Sequence, residues 1–344
     1  MKKLCYIMLI AVIAACMFGC PRRGATPDEQ MIKFTAAGEV RPSAAGNPLF
    51  QSGDATTAMP DVLPFLVERD LVMSDFGGGV ELGCQPLLRE EVLRWKPEWL
   101  SLLYQTNIRV LNLANDHSLD CGRDALSRSM SNMLSQGFYI FGAGKDQKEA
   151  HSPVYLTVKG VTISVVGFLF HSPPGLDPCD DCTGPSFYDR QALINSLKEM
   201  KRRADHRLVV FHWEERESAV LSEKEMAAVR EAFDFGADLV LGYGPETAGS
   251  IQRIRGKWAI GSVGRLTGED SAGGGANPAG MMVSMEFTRS GINNLRLIAT
   301  DLDNGRPRLL RGEEGTRTLN SLVSASSDEV QDNVKIIKDI LYLK

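Results

Sequence analysis

The chain predicts an α/β protein, and three observations carry that prediction. Apolar runs of strand character alternate with amphipathic segments of helical spacing along most of the length. Polar side chains follow directly where several of the apolar runs stop, which is where ligand-binding groups gather in such folds. The 344 residues, 43% hydrophobic and 24% charged, can bury a sizeable core in one large or two small domains.

From Met31 onward IKFTAAG, DLVMSDFG, IRVLNLAND, FYIFGAG, PVYLTVKG and VTISVVGFLF read as strands. DALSRSMSNMLSQG, DRQALINSLKEMKRRAD and SEKEMAAVREAFDFGAD read as helices, because their apolar residues recur at helical spacing and each ends at Gly or a polar stop. HRLVVFHW, DLVLGYG and WAIGSVGRL return to strand, and GMMVSMEFTRSG with NNLRLIATDL forms a hairpin around Ser290-Gly291. Interleaved strands and helices predict α/β, with antiparallel pairs at a sheet edge. The tail, residues 318–344, reads as a Ser-rich link and one short amphipathic helix, apolar at Val330, Val334, Ile337 and Leu341.

A formal charge of −5, without a basic stripe or interleaved aromatics, excludes nucleic acid as an expected partner. Residues 1–20, MKKLCYIMLIAVIAACMFGC, place Lys2 and Lys3 before an apolar run too short to span a bilayer comfortably, which predicts a secretory signal peptide. Ile13-Ala14-Ala15-Cys16 resembles a bacterial lipobox, so Cys16 is the expected lipidation site, with Cys20 as the alternative. Residues 21–30, PRRGATPDEQ, then form a tether, and the expected location is the cell envelope, anchored to the membrane by lipid.

Export implies an oxidising compartment, in which Cys84, Cys121, Cys179 and Cys182 are able to pair. The spacing Cys179-Asp180-Asp181-Cys182 allows a local disulfide, a redox pair or half of a metal knot. With no second CxxC and no thioredoxin-like surroundings, a loop staple is the favoured reading.

Five strand ends carry polar residues: Gly38-Glu39, Asp75, Asn115-Asp116-His117, His212, and Gly242-Tyr243-Gly244-Pro245-Glu246. Carboxylate, amide and imidazole groups delivered from several strands are what a hard or borderline divalent cation requires. ANDHSLDCG, FGAG and EAHSPVYLTVKGVTISVVGF, followed in order by FHWEERE, FGADLVLGYGPETAGSIQ and WAIGSVGRL, resemble the conserved stretches of the CapA-like capsule and poly-gamma-glutamate synthesis proteins. The resemblance runs from about Met31 to Phe287, and the CapA-like domain is expected over residues 31–317.

That resemblance implies a four-layer α/β/β/α sandwich of the calcineurin-like metallophosphoesterase type, with ligands on loops after the strands. It implies Asn115, His117 and His212 as catalytic candidates, with one or two cations held by the strand-end acid and histidines. By their own chemistry Glu39, Asp75 and Glu246 are metal candidates, three carboxylates able to hold one divalent cation (magnesium, manganese or zinc). The sequence also departs from the family pattern at these places. Glu39 stands for the Asp of a G-D stretch, Asp116 for the second Asn of A-N-N-H, and Asp75-Phe76-Gly77 for N-L-E. Gly244-Pro245-Glu246 stands for H-P-H, and Arg265 for the Asn of L-G-N. These departures point to a degenerate site without metal, and to an accessory role in exopolymer assembly with anionic polymer or envelope assembly proteins as partners. An active metal-dependent hydrolase and a non-catalytic polymer- or solute-binding lipoprotein are the alternatives.

Each candidate also has a plainer structural reading. Asn115, Asp116 and His117 would serve equally as a loop bonding its own turn and capping the helix near Gly122, and Asp120 reads as a cap or turn residue. His212 would serve as a satisfied histidine beside Trp213. Glu214, Glu215 and Glu217 with Arg216 read as a hydrated face. Residues 271–280, SAGGGANPAG, lack the Lys-Ser/Thr of a phosphate-cradling loop.

Overall fold

The computed structural model describes residues 31–42, 48–86, 91–172, 176–214, 216, 219–269 and 278–344. Its principal strands, numbered in chain order, begin with β1 (Ile32–Ala36), β2 (Leu71–Asp75), β3 (Ile108–Asn112), β4 (Tyr139–Phe141), β5 (Val154–Val158) and β6 (Val161–Leu169). They continue with β7 (His206–His212), β8 (Leu239–Tyr243), β9 (Gly249–Ile254), β10 (Lys257–Ser262) and β11 (Gly280–Thr288). The last are β12 (Gly291–Asp303), β13 (Arg306–Leu309), β14 (Val334–Ile337) and β15 (Ile340–Leu343). The longer helices are α1 (Leu100–Gln105), α2 (Arg123–Ser135), α3 (Arg190–Arg203), α4 (Glu223–Asp234) and α5 (Gly312–Ser324).

One sheet has nine strands in the order β14-β15-β12-β11-β1-β2-β3-β4, with β13 paired to β12. The other has six, in the order β9-β10-β8-β7-β6-β5. β1 to β4 run parallel, as do β6, β7, β8 and β10, while the outer strands are antiparallel.

The strand period of two sorts side chains onto two faces. In β7, Leu208 and Val210 join Phe34, Met73, Val110 and Ile163 in a core between the sheets, while Val209 and Phe211 pack outward on Leu193 and Leu197 of α3 and Val229 of α4. Val72 and Leu111, on the outer face of the nine-stranded sheet, pack on Leu100 of α1 and on Leu126 and Met130 of α2. The result is the four-layer α/β/β/α sandwich. Local signals place the outer helices: the Asp189 carboxylate accepts from Ala192 N to start α3, and Ser222 with Glu225 forms a capping box at α4.

Two parts of the chain differ from expectation. Residues 318–344 are not a link and one helix: α5 and a short helix, Asp328–Gln331, precede the β14–β15 hairpin, which joins the nine-stranded sheet through β12. Val334, Ile337 and Leu341 fit a helical stripe, but Lys338 adopts φ +57°, a left-handed turn residue that reverses the chain. Strands β9 and β13 were not legible as apolar runs, because GSIQRI and RPRL are mostly polar or half-buried.

Two disulfides form, Cys84–Cys121 and Cys179–Cys182. The first ties the segment after β2 to the turn before α2. Residues 1–30, with Cys16 and Cys20, lie outside the described residues, as do residues 271–277 of the glycine-rich run. Among the described residues no helix is long and apolar enough to cross a membrane.

The Cys84–Cys121 bond closes a loop with a sequence separation of 37. Chain-entropy arguments give such a tie about 3–4 kcal/mol. Replacing both cysteines with serine is therefore expected to lower the urea midpoint and to raise the slope as the freed denatured chain expands, and an unchanged midpoint would refute this role.

Candidate functional site

The inter-sheet faces of the central strands end in polar residues. Met73 and Asp75 share a face of β2, Val110 and Asn112 a face of β3, Val210 and His212 a face of β7, and Leu241 and Tyr243 a face of β8. The first of each pair lies in the core between the sheets. The second, two residues on, continues that face to its polar end, where the Tyr243 ring still belongs to the core. Asp75 and Asn112 are register partners, as are His212 and Tyr243, so the parallel strands bring these side chains to one end of the sandwich.

There they meet the loops after β1 and β3. His212 Nδ1 lies 2.8 Å from Asp75 Oδ2, joining the two sheets. Its Nε2 lies 3.0 Å from Asp116 Oδ1, a close ion-pair contact without straight hydrogen-bond geometry. Asn112 donates to Asp75 Oδ1 at 2.5 Å. Asn115 Nδ2 lies 2.7 Å from Asp75 Oδ2, 3.0 Å from Glu39 Oε1 and 3.3 Å from His212 Nδ1. The orientation of this amide follows from the backbone, since His117 N donates to Asn115 Oδ1 at 2.8 Å and so turns the nitrogen toward the acids. His117 Nδ1 sits 2.8 Å from Asp120 Oδ2, which also accepts from Leu93 N at 2.7 Å.

Of the six residues singled out as catalytic or metal candidates, five converge. Glu39, Asp75, Asn115, His117 and His212 are all buried, at 0–3% exposure. Glu246 stands apart: its side chain is 37% exposed, and its carboxylate lies 3.8 Å from the Arg265 guanidinium. Asp116 and Asp120 take larger parts than a loop or cap role. Asp116 contacts both His212 and His117, and α2 begins at Gly122 with no side-chain cap. Asn112 was missed, although it is a polar residue two positions past an apolar one on a predicted strand; Tyr243, named only within its strand-end stretch, has the same placing. Tyr243 Oη donates to Ala37 O at 3.0 Å, a second bond between the sheets.

Two departures from the family pattern are tied to their neighbours, one through a side chain and one through the backbone. A side chain at Gly77 would collide with Glu39 Oε1, so the longer acid at position 39 fills the space that a residue larger than glycine would need. Gly244 adopts φ +107°, and a Cβ there would come within 2.5 Å of Trp213 O. A histidine at position 244 would therefore require this segment to move.

Among the described residues no group of three or more His, Cys, Asp or Glu side chains is arranged to hold a metal ion. The centre of the acceptor set is filled by the Asn115 amide nitrogen, a donor with no lone pair for a metal. Each Asp75 oxygen already accepts a hydrogen bond, and both His212 nitrogens face carboxylates.

Charge is balanced internally. Burial disfavours the charged His212 ring, but the Asp75 carboxylate bonded to it and the close contact with Asp116 outweigh that and hold the imidazole well above its ordinary value. Burial pushes the Glu39 carboxyl up, opposed by the Arg41 guanidinium and reinforced by Asp75. Burial, with Asp75 and Glu39 nearby, pushes the Tyr243 phenol well up, so it remains a neutral donor. The arrangement is an imidazolium between two carboxylates, stitched to a third acid by an amide. Its chemistry is hydrogen bonding and charge compensation, and His117 with Asp120 is the pair in which the carboxylate fixes one imidazole nitrogen.

Because the folded state holds the His212 proton more tightly than the ordinary 6.5, its contribution to stability is complete below about pH 6.5 and declines as pH rises through the raised folded value. Glu39 has the same sign, starting from 4.5. Unfolding free energy is thus expected to fall on the alkaline side of 6.5, with a shallower slope in His212→Asn; identical slopes would refute the assignment. Removing one partner of a buried pair costs about 3–5 kcal/mol, so His212→Ala should lower the denaturant midpoint strongly.

Comparison with known proteins agrees with the residue pattern. The family described as "Bacterial capsule synthesis protein PGA_cap" matches residues 33–267. The PGA biosynthesis protein CapA of Bacillus subtilis (strain 168) is 25% identical over 244 residues, covering 70% of this chain and 64% of that protein. The capsule biosynthesis protein CapA of Bacillus anthracis is 26% identical over 198 residues, covering 55% and 48%. The matched region thus spans less than two thirds of either relative's length. Among solved structures, a 5'-nucleotidase precursor from Thermus thermophilus overlaps with a TM-score of 0.45 at 9% identity, over 86% of this chain and 58% of that one, a likeness too loose to assign chemistry. With a family match over most of the folded chain, the protein belongs to the PGA_cap family of bacterial capsule synthesis proteins.

Proposed function

We propose that this chain is an exported, lipid-anchored accessory protein of capsule or exopolymer assembly, and that its strand-end cluster serves as a structural polar centre in place of a catalytic metal site. Family membership and the two CapA relatives support the assembly role. The N-terminal reading, with Cys16 or Cys20 as the lipidated residue, supports the location. The observation that carries the non-catalytic reading is Asn115 Nδ2, which sits among Asp75, Glu39 and His212 and presents them with a donor where a cation would require an open position. Anionic exopolymer or envelope assembly proteins are the partners that this reading calls for.

An active hydrolase is the second reading, favoured by the convergence of four carboxylates and two imidazoles at the strand ends. Metal content separates the two. The full chain, exchanged into manganese or zinc, is expected to retain substoichiometric metal, to leave a chromogenic phosphodiester intact and to keep its unfolding temperature in chelator. Stoichiometric metal that disappears in His212→Ala would overturn the proposal in favour of the hydrolase. Retention on a polyanionic or glycan matrix without turnover would instead favour a polymer-binding lipoprotein.

A further inference from the structure

At the other end of the six-stranded sheet, where β7 and β8 begin, lies a cavity of about 490 Å³. Its apolar wall includes Leu239, Trp258 and Leu295, all buried. Five cationic residues line it, Arg207, Arg253, Lys257, Arg289 and Lys344, against the carboxylates of Asp205 and Asp238, and Trp258 Nε1 donates to Lys344 O at 3.3 Å. In a chain of formal charge −5 this is a local reversal of sign.

The two carboxylates are already engaged. Asp238 receives the Arg207 guanidinium through Nε and Nη2, each at 3.0 Å, and Asp205 accepts from Thr162 N at 2.8 Å. Lys257 Nζ donates to Ala237 O and stands 3.8 Å from Asp238 Oδ1, beyond hydrogen-bond reach. Arg289 gives Nε and Nη2 to Gly160 O, a neutral acceptor, at 3.2 and 3.1 Å. Arg253 lies over the Trp258 ring at 5.2 Å, and among the described residues its Nη1 has no hydrogen-bond partner.

Local structure explains why these groups gather. Arg253 and Trp258 are register partners across the β9–β10 hairpin, whose turn residues Arg255 and Gly256 adopt φ +54° and +76°, so the two side chains share one face. Arg289 lies on the turn between β11 and β12, and Lys257 opens β10. Three of these cations, from three different origins, thus line an apolar-walled cavity, and among the described residues none of the three has a carboxylate at hydrogen-bonding distance.

We propose that this cavity binds an anionic group, a carboxylate or a phosphate, held by Arg253, Lys257 and Arg289 beside the Trp258 ring. Guanidinium groups suit either anion through paired N–H donors, and the apolar wall strengthens the attraction by excluding water. The site is separate from the strand-end cluster by the length of β7, about 20 Å at the rise of a strand. It therefore does not depend on whether that cluster is catalytic.

Calorimetric titration of the full chain at low ionic strength, with inorganic phosphate in one arm and glutarate in the other, tests it. Saturable binding of at least one anion is expected, weakened about tenfold in Arg253→Gln and in Lys257→Gln, and weakened by added salt. Arg289→Gln, on an exposed turn, should weaken binding without altering the unfolding temperature, so a loss of affinity there cannot be a loss of fold. Preference for phosphate would identify a phosphate-bearing ligand, and preference for glutarate a carboxylate-bearing one. Failure of both anions to saturate, or unchanged affinity in all three variants, would overturn the proposal.

Discussion

The contact between Asp75 and His212 is the constraint on which the end of the sandwich depends. Each residue closes the inward face of a strand, one in each sheet, and each continues a row that is otherwise apolar. Bringing a carboxylate and an imidazole to the margin of a dry core is costly unless each is fully partnered. Asn112, Asn115, Asp116 and Glu39 supply that partnership, and their positions on separate strands and loops are intelligible as its consequence. The sheets are held together by apolar packing along their length and by directional bonds at one end. The directional bonds fix the register between sheets more narrowly than packing alone would.

The same cluster explains why the family's ligand pattern is altered at several positions together. Glu39 reaches into space left by Gly77, and the backbone at Gly244 passes so close to Trp213 that no side chain fits. Arg265 follows a backbone bridge to Glu39 and places positive charge beside it. Glu39, Gly77 and Arg265 are therefore neighbours in one packing arrangement, while Gly244 answers separately to the Trp213 backbone.

Much of the fold was legible because it rests on strong periodicity. The seven apolar residues of VTISVVGFLF and the helical stripe of DRQALINSLKEMKRRAD each specify their element locally. Less legible were elements whose identity is set by neighbours: β9 is half-buried and exists as the hairpin partner of β10, and β14 and β15 show helical spacing until a left-handed Lys338 turns them into strands. In the site, Asn115, His117 and His212 stood out because imidazole and amide after a strand are unusual. Asn112 did not, because a single Asn at the end of IRVLN looks like the start of a loop. Which face it occupies is decided by counting from Val110, a test that needs the strand's register and not merely its existence. The contacts of Asp116 with His212 span 96 positions and could not be read from either local stretch.

The Cys84–Cys121 bond gives the cluster a dependence on place. Cys121 directly follows Asp120, whose carboxylate holds both the His117 ring and the Leu93 amide from the segment that the disulfide ties down. That bond persists only where thiols are oxidised. Inside a reducing cytoplasm the newly made chain would hold this corner by noncovalent contacts alone. With the chain exported as proposed, the finished arrangement around His117 belongs to the far side of the membrane, and maturation of the site and passage out of the cell become one event.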